Sequence, residues 1–149
     1  MTAFVGVEGY TLPCGYILKE LCIVFPNNEF DHYLFMKPEW ILSDLVRKTI
    51  RYTTQHLNNL SYEDGDVSLS QLPSILDKIK DIKVYTYGDA AVKLLQNCLP
   101  TTLIENVQDQ GYKMPTQLPD SKCFRKHNSR YCAKSKALAI QDFIDNLGN

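Results

Sequence analysis

The sequence predicts one α/β domain in which a three-stranded antiparallel meander is extended by two further strands, with helices flanking a mixed sheet. Three observations carry this expectation. The N-terminal quarter holds three apolar, β-prone runs separated by short turn signals. From Ser43 onward the apolar spacing becomes helical. The two later strands are separated by a helical segment that can serve as their crossover, which makes them parallel.

Phe4 to Gly9 reads as the first strand, and Leu12-Pro13-Cys14-Gly15 as the turn after it. Tyr16 to Phe25 is the second strand, apolar almost throughout except at Lys19 and Glu20. Pro26-Asn27-Asn28 turns the chain into a third strand, Phe30 to Met36, which Lys37-Pro38 closes. Such short gaps favour antiparallel pairing of neighbours. Ser43-Asp44 is a helix start, with Leu45, Ile50, Leu57 and Leu60 as its expected apolar stripe. Ser61 to Asp66 is a loop, and Leu69 to Ile79 is a second helix with apolar positions 72, 75, 76 and 79. Ile82 to Tyr87 is a strand, followed by a helix through Ala91, Leu94 and Leu95 that Pro100 ends. Leu103 to Val107 is the last strand, and Met114 to Pro119 a loop. A final helix runs from about Ala133 to Leu147.

The 149 residues fit a single domain over 1–149 and can bury a real core. With 44% hydrophobic and 22% charged residues, the chain belongs with globular rather than disordered proteins. A formal net charge of -1 gives no overall attraction to nucleic acid or membrane, so any such surface must be local. No apolar run reaches the ~20 residues of a membrane span. The N-terminus lacks the pattern of a secretory signal, and five cysteines, an odd number, argue for a reducing compartment. The expectation is an intracellular protein, cytoplasmic or nuclear, with no membrane partner.

Cys123-x3-His127-x4-Cys132 places two thiols and an imidazole within ten residues, a donor set that suits zinc. A tetrahedral site needs a fourth ligand. Glu20 is the candidate, because a carboxylate among Ile17, Leu18, Leu21 and Ile23 needs a partner if it is buried. Zinc held by Glu20, Cys123, His127 and Cys132 would be structural, since a closed site leaves no position for water. Spacing alone is equally compatible with two unrelated core thiols and a surface histidine. A nucleophilic cysteine with His127 as base is the weaker reading, because no third orienting residue accompanies them. Cys14, Cys22 and Cys98 sit in apolar stretches and read as core residues.

The strand and helix order resembles the ribonuclease H-like architecture, and the opening residues resemble a DEDD-type 3′–5′ exonuclease. That family ends its first strand in Asp-x-Glu; here Phe4-Val5-Gly6-Val7-Glu8 keeps Glu8 but has Gly6 in place of the aspartate. Its second motif falls near Asp89 to Ala91, with the register nearer Ala91. Its final His-x-Ala-x-x-Asp corresponds to Tyr131-Cys132-Ala133-Lys134-Ser135-Lys136, so Lys136 replaces the last carboxylate. Two-metal cleavage needs carboxylates converging on ions about 4 Å apart, and this set does not supply them. The loss of those carboxylates together with a Glu-Cys-His-Cys set is similar to the Maelstrom domain of the small-RNA silencing pathway. That resemblance implies the zinc ligands named above and binding of single-stranded RNA. The chain carries no high-mobility-group box, so a full Maelstrom protein is not expected, and a viral or transposon-borne relative is equally compatible.

Lys122, Arg125, Lys126, Arg130, Lys134 and Lys136 put six positive charges into fifteen residues, interleaved with Phe124, His127 and Tyr131. Basic groups beside rings suit a single strand of RNA or DNA. Arg47, Lys48, Arg51 and Tyr52 form a second group. A solvated helix face explains such runs too. Tyr85, Tyr87 and Tyr112 fit either a groove or packing. The expected function is therefore a zinc-stabilised, non-catalytic nucleic-acid-binding domain. A protein-interaction module or homodimer on the same fold is the first alternative. A nuclease with an unorthodox site at Glu8, Asp89 and His127 is the second.

Overall fold

The structure, a computed structural model, describes residues 1–12, 15–37, 43–55, 63, 65–115, 118 and 132–147. Its first strand, β1 (Thr2–Leu12), is longer than the predicted run and pairs antiparallel with β2 (Gly15–Val24). The outer partner of β2 is β3 (Phe30–Leu34), again antiparallel, so the meander forms as expected. Asn28 closes the intervening turn in the left-handed region (φ 68°), and the Phe25 and Glu29 backbones bond across it.

On the other side of β1 lies β4 (Lys83–Thr86), parallel to it, and beyond that β5 (Ile104–Asn106), parallel to β4. The sheet order is β3-β2-β1-β4-β5. Between β4 and β5 runs the crossover helix, here α3 (Asp89–Cys98). No helix among the described residues is long and apolar enough to cross a membrane.

Alternation along β1 divides the core in two. Ala3, Val5 and Val7 join Leu18, Leu21 and Ile23 of β2 beneath α2 (Leu72–Leu76) and α3. On the opposite face Phe4, Cys22 and Val24 pack against Ala133, Ala137 and Ile140 of α4 (Ala133–Leu147). These α4 residues recur at helical spacing, and the helix occupies the predicted range. Its crossing over β1 is close: a Cβ on Gly6 would sit 2.0 Å from the Ala133 carbonyl oxygen and 2.8 Å from the Ala137 nitrogen. Gly6 is therefore a packing residue, without room for any side chain.

Two local expectations need correction. The first helix, α1 (Asp44–Thr53), starts where predicted, with Ser43 Oγ accepting from the Val46 N–H at 3.3 Å. Its buried face, however, is Val46, Ile50 and Thr53, while Leu45 is 64% exposed. Val46 and Ile50 meet Tyr10, Leu12 and Ile17 at the far end of β1. Leu57 and Leu60 lie outside the described residues. The predicted helix over 69–79 is broken: 3-10 turns at Leu69–Gln71 and Asp77–Ile79 flank a five-residue α2. Pro73 accounts for its late start, because proline lacks an N–H and fits only a first turn. Leu72, Ile75, Leu76 and Ile79 are nevertheless buried, so the apolar pattern named the right residues.

Candidate functional site

The site is built where the β1–β2 ladder is interrupted. Glu8 pairs with Glu20, but Gly9 pairs with Leu18, so Lys19 is an extra residue on β2. Such a bulge re-aims the side chains around it. Here it keeps Leu18 and Leu21 on one face and leaves Glu20 with Cys22 on the other, against α4. Lys19 is buried, and its Nζ donates to the Phe35 carbonyl at 3.0 Å. The two consecutive charges in an apolar strand thus mark the bulge.

Glu20 is fully buried. Its Oε1 accepts from the Ala133 N–H, the first amide of α4, at 2.7 Å. Its Oε2 lies 2.6 Å from His32 Nε2 on β3. Both are favourable for a carboxylate: a helix N-terminus offers free amides and positive potential, and an imidazole offers a polar partner. The sequence reading assigned Glu20's partner to a metal; the structure supplies two protein partners as well. His32 was the residue that sequence reasoning missed. Its signal was available, since positions 30, 32 and 34 share one face of β3 and Cα pairing sets His32 beside Cys22.

Of the four expected zinc donors, the fold brings Glu20 to the residue that follows Cys132, and Cys132 is itself buried. Cys123 and His127 lie outside the described residues. Among the described residues no three His, Cys, Asp or Glu side chains converge as a metal site. The carboxylate of Glu20 is thus bonded to the amide that follows Cys132, which places two residue types that zinc uses at one helix start.

Glu8 faces a different partner. Its Oε2 is 2.5 Å from Lys136 Nζ, which also donates to the Val7 carbonyl at 3.3 Å. Burial pushes the Glu8 carboxyl above its ordinary value, Lys136 pulls it back, and the charge of Glu20 adds to the rise. Burial likewise holds the Tyr16 hydroxyl well above its ordinary value, reinforced by Glu8 and Glu20. Glu8, Tyr16 and Lys136 line a cavity of about 470 Å³, together with Tyr52 of α1, Tyr87 after β4 and Ala91 of α3. The cavity therefore opens at the carboxyl ends of β1 and β4, the place where open α/β sheets bind ligands. Gly88 makes the turn into α3 at φ 99°, pinned through its N–H to Asn106 Oδ1 at 3.0 Å.

No family model and no curated protein matches the chain. The site must accordingly be read from its own residues. Of the expected nucleic-acid residues, Lys122, Arg125, Lys126, Arg130 and Tyr131 lie outside the described residues. Lys134 is described, with its Nζ 4.2 Å above the half-exposed Phe30 ring. Lys136 is turned into the cavity and paired with Glu8. Arg47, Lys48 and Arg51 are exposed on α1, the helix that contributes Tyr52 to the cavity. Tyr85 stacks on Phe4, and Tyr112 packs between Tyr87 and Phe143, so packing accounts for both. Asp89 accepts from Asn106 Nδ2 at 3.3 Å and is not among the cavity's described lining. Cys22 is a core residue as expected, Cys98 is half-buried, and Cys14 lies outside the described residues.

Proposed function

We propose that this chain is a ribonuclease H-like domain of exonuclease ancestry that binds single-stranded nucleic acid, RNA above all, without cutting it. The observation that carries the reading is the Glu8–Lys136 ion pair at the base of a tyrosine-lined cavity. A nuclease of this architecture keeps its carboxylates free for metal ions at the carboxyl end of the first strand. In this chain the one carboxylate retained there is neutralised by lysine, and Gly6 has no room for a second. The strand order, with β2 antiparallel to its four companions, supports the same ancestry.

What remains suits binding. Tyr52 and Tyr87 offer ring faces for stacking, and the exposed cations of α1 offer phosphate contacts beside them. The sequence of segment 122–136 adds six further cations, of which Lys134 and Lys136 lie on α4. A silencing or transposon-related setting follows from the Maelstrom-like pattern of Glu20, Cys123, His127 and Cys132. Zinc, when bound by these four, supplies a cross-link between β2 and the start of α4. The hydrogen bond from the Ala133 amide to Glu20 and the burial of Cys132 support that role.

The test is fluorescence anisotropy with labelled single-stranded RNA, single-stranded DNA and duplex in Mg²⁺-containing buffer without chelator, over a salt series beginning at about 50 mM. The expected result is single-strand binding that weakens steeply with salt and leaves the strand intact. Absence of binding at the lowest salt, in protein that retains stoichiometric zinc, would reject the nucleic-acid reading and favour a protein-interaction module.

A further inference from the structure

We infer, on the footing of the nucleic-acid binding proposed above, that the uncovered edge of β1 reads one nucleobase of the bound strand. The reading groups are the main-chain N–H and C=O of Thr11, which hydrogen-bond the Watson–Crick edge of a base stacked in the tyrosine-lined cavity.

The edge is open because β1 outlasts its partner. β2 pairs along β1 as far as Leu12, whereas β4 pairs with it only from Thr2 to Phe4. Beyond Phe4, no strand among the described residues lies on that side of β1. Two side chains occupy the first places of such a strand. Thr86 Oγ1 donates to the Val5 carbonyl at 2.8 Å, and Lys136 Nζ to the Val7 carbonyl at 3.3 Å. These bonds also show which residues face outward. In an antiparallel pair, alternate residues direct both N–H and C=O at the neighbour, and those between direct both away. Val5 and Val7 are of the second kind. The extra residue of the bulge is on β2, so the alternation runs on along β1 through Gly9 to Thr11. The Gly9 amide serves the Glu8 carboxylate. Thr11 comes next, exposed and lining the cavity.

What fits one outward residue is a base. An added peptide strand needs several such residues in a row, and side chains already hold the places at Val5 and Val7. A base needs one donor and one acceptor side by side, which a single extended residue presents on one edge. The cavity of about 470 Å³ has room for one nucleoside, and Tyr52 and Tyr87 in its lining offer ring faces for stacking. Gly9, Gly88 and Ala90 complete the lining with almost no side chain, so a flat ring can approach the main chain. A base that is already paired has its Watson–Crick edge in use. The contact therefore accepts single strands and refuses duplex.

The experiment uses the full chain as purified, with labelled oligouridylate and oligoadenylate as probes. Their counterparts are built from 3-methyluridine and N6,N6-dimethyladenosine, which keep the phosphates and ring faces but block the Watson–Crick edge. Anisotropy titrations at about 50 mM salt compare wild type, Thr11→Ala and Thr11→Pro. For at least one of the two bases, wild type and Thr11→Ala should bind the blocked oligomer about tenfold or more weakly than its parent. Thr11→Pro removes the N–H at an edge position, where a strand accepts proline, so it should bind parent and blocked oligomers alike. Circular dichroism checks that this variant is folded; where it is not, the wild-type comparison decides alone. Blocked oligomers that bind wild type as tightly as both parents overturn the inference and leave single-strand binding standing. A folded Thr11→Pro that still discriminates tenfold does the same. Failure of every oligomer to bind overturns single-strand binding and base reading together, and turns the β1 edge over to a protein partner.

Discussion

Glu8 and Glu20 face each other directly across β1 and β2, two buried carboxylates on one side of the sheet, and both are answered by the first turn of α4. Glu20 takes the Ala133 amide and Glu8 takes the Lys136 ammonium. Like charges placed opposite each other destabilise a sheet unless something compensates. Compensation comes from that helix and, for Glu20, from His32 of β3 as well, so the carboxylates also fix where the helix docks.

Removing Lys136 alone is therefore costly. Lys136→Met leaves Glu8 buried and unpaired, and the expected loss is about 2–4 kcal/mol, below that of a fully enclosed pair because the ammonium is partly exposed. Glu8→Gln/Lys136→Met removes both charges and should recover most of that loss. Urea unfolding of the three proteins at neutral pH measures it. Additive losses in the double variant would show that the two residues do not act as a pair.

The pH dependence has a definite sign. The Glu8 carboxyl is raised from 4.5 in the folded state, chiefly by burial. A raised carboxyl binds its proton more tightly in the folded chain, so its contribution is present below 4.5 and is lost as pH rises through the raised value. Glu8→Gln lacks this titration. The melting temperature of wild type relative to Glu8→Gln should fall as pH rises from 4.5 through the raised value. A difference that grows with pH would mean the Lys136 attraction outweighs burial.

Gly6 should tolerate nothing larger. A Cβ there meets the Ala133 carbonyl and the Ala137 amide, which are backbone and cannot rotate away. Gly6→Ala must push α4 off the sheet, separating Glu20 from its amide and Glu8 from its lysine. The expected cost exceeds about 3 kcal/mol, read from denaturant unfolding. A mild effect would mean that α4 can shift as a rigid body without loss.

Much of this arrangement was legible in the sequence, for physical reasons that differ between elements. The meander and α4 follow from apolar periodicity and turn residues, which act locally. The interruption of an apolar strand by Lys19-Glu20 pointed to a special position, and the bulge lies there. What pairs with Glu20 was not legible, because His32 is brought to it only by the β2–β3 register. The cavity was equally hidden. It joins Tyr16, Tyr52 and Tyr87 from three separate elements at the end of the sheet, and nothing in their spacing announces that meeting. The helix over 69–79 failed as a continuous element because apolar spacing reports burial, whereas Pro73 governs the hydrogen bonds.

His32 offers a separate test of the zinc reading. Its imidazole lies on Glu20 Oε2, so His32→Ala withdraws a polar partner from a buried carboxylate, at an expected cost of about 1–3 kcal/mol. If Glu20 is a zinc ligand, His32 also orients it, and zinc affinity should fall about 10–100-fold. Competition with a chelating dye measures the second effect independently of unfolding. A destabilised variant that holds zinc as tightly as wild type would separate Glu20 from the metal.

Tyr52 separates binding from folding. It is 59% exposed on α1 while lining the cavity, so much of its ring surface faces solvent and the ring contributes little to the core. Tyr16, by contrast, is partly buried and packed against the core near Glu8, and Tyr87 is held edge-on against Tyr112. One lost stacking contact is worth about 1–3 kcal/mol of single-strand affinity, which is roughly a 5- to 150-fold weaker complex. Tyr52→Ala should show that loss with a melting temperature within about 2 °C of wild type. Tyr52→Phe, which keeps the ring face, should bind as wild type does. Its neighbours Arg47 and Arg51 contact phosphate on the same reading, so replacing either should reduce the salt dependence by about one ion instead of removing a stacking contribution. Affinity unchanged in Tyr52→Ala would place the strand elsewhere, on the basic segment before α4.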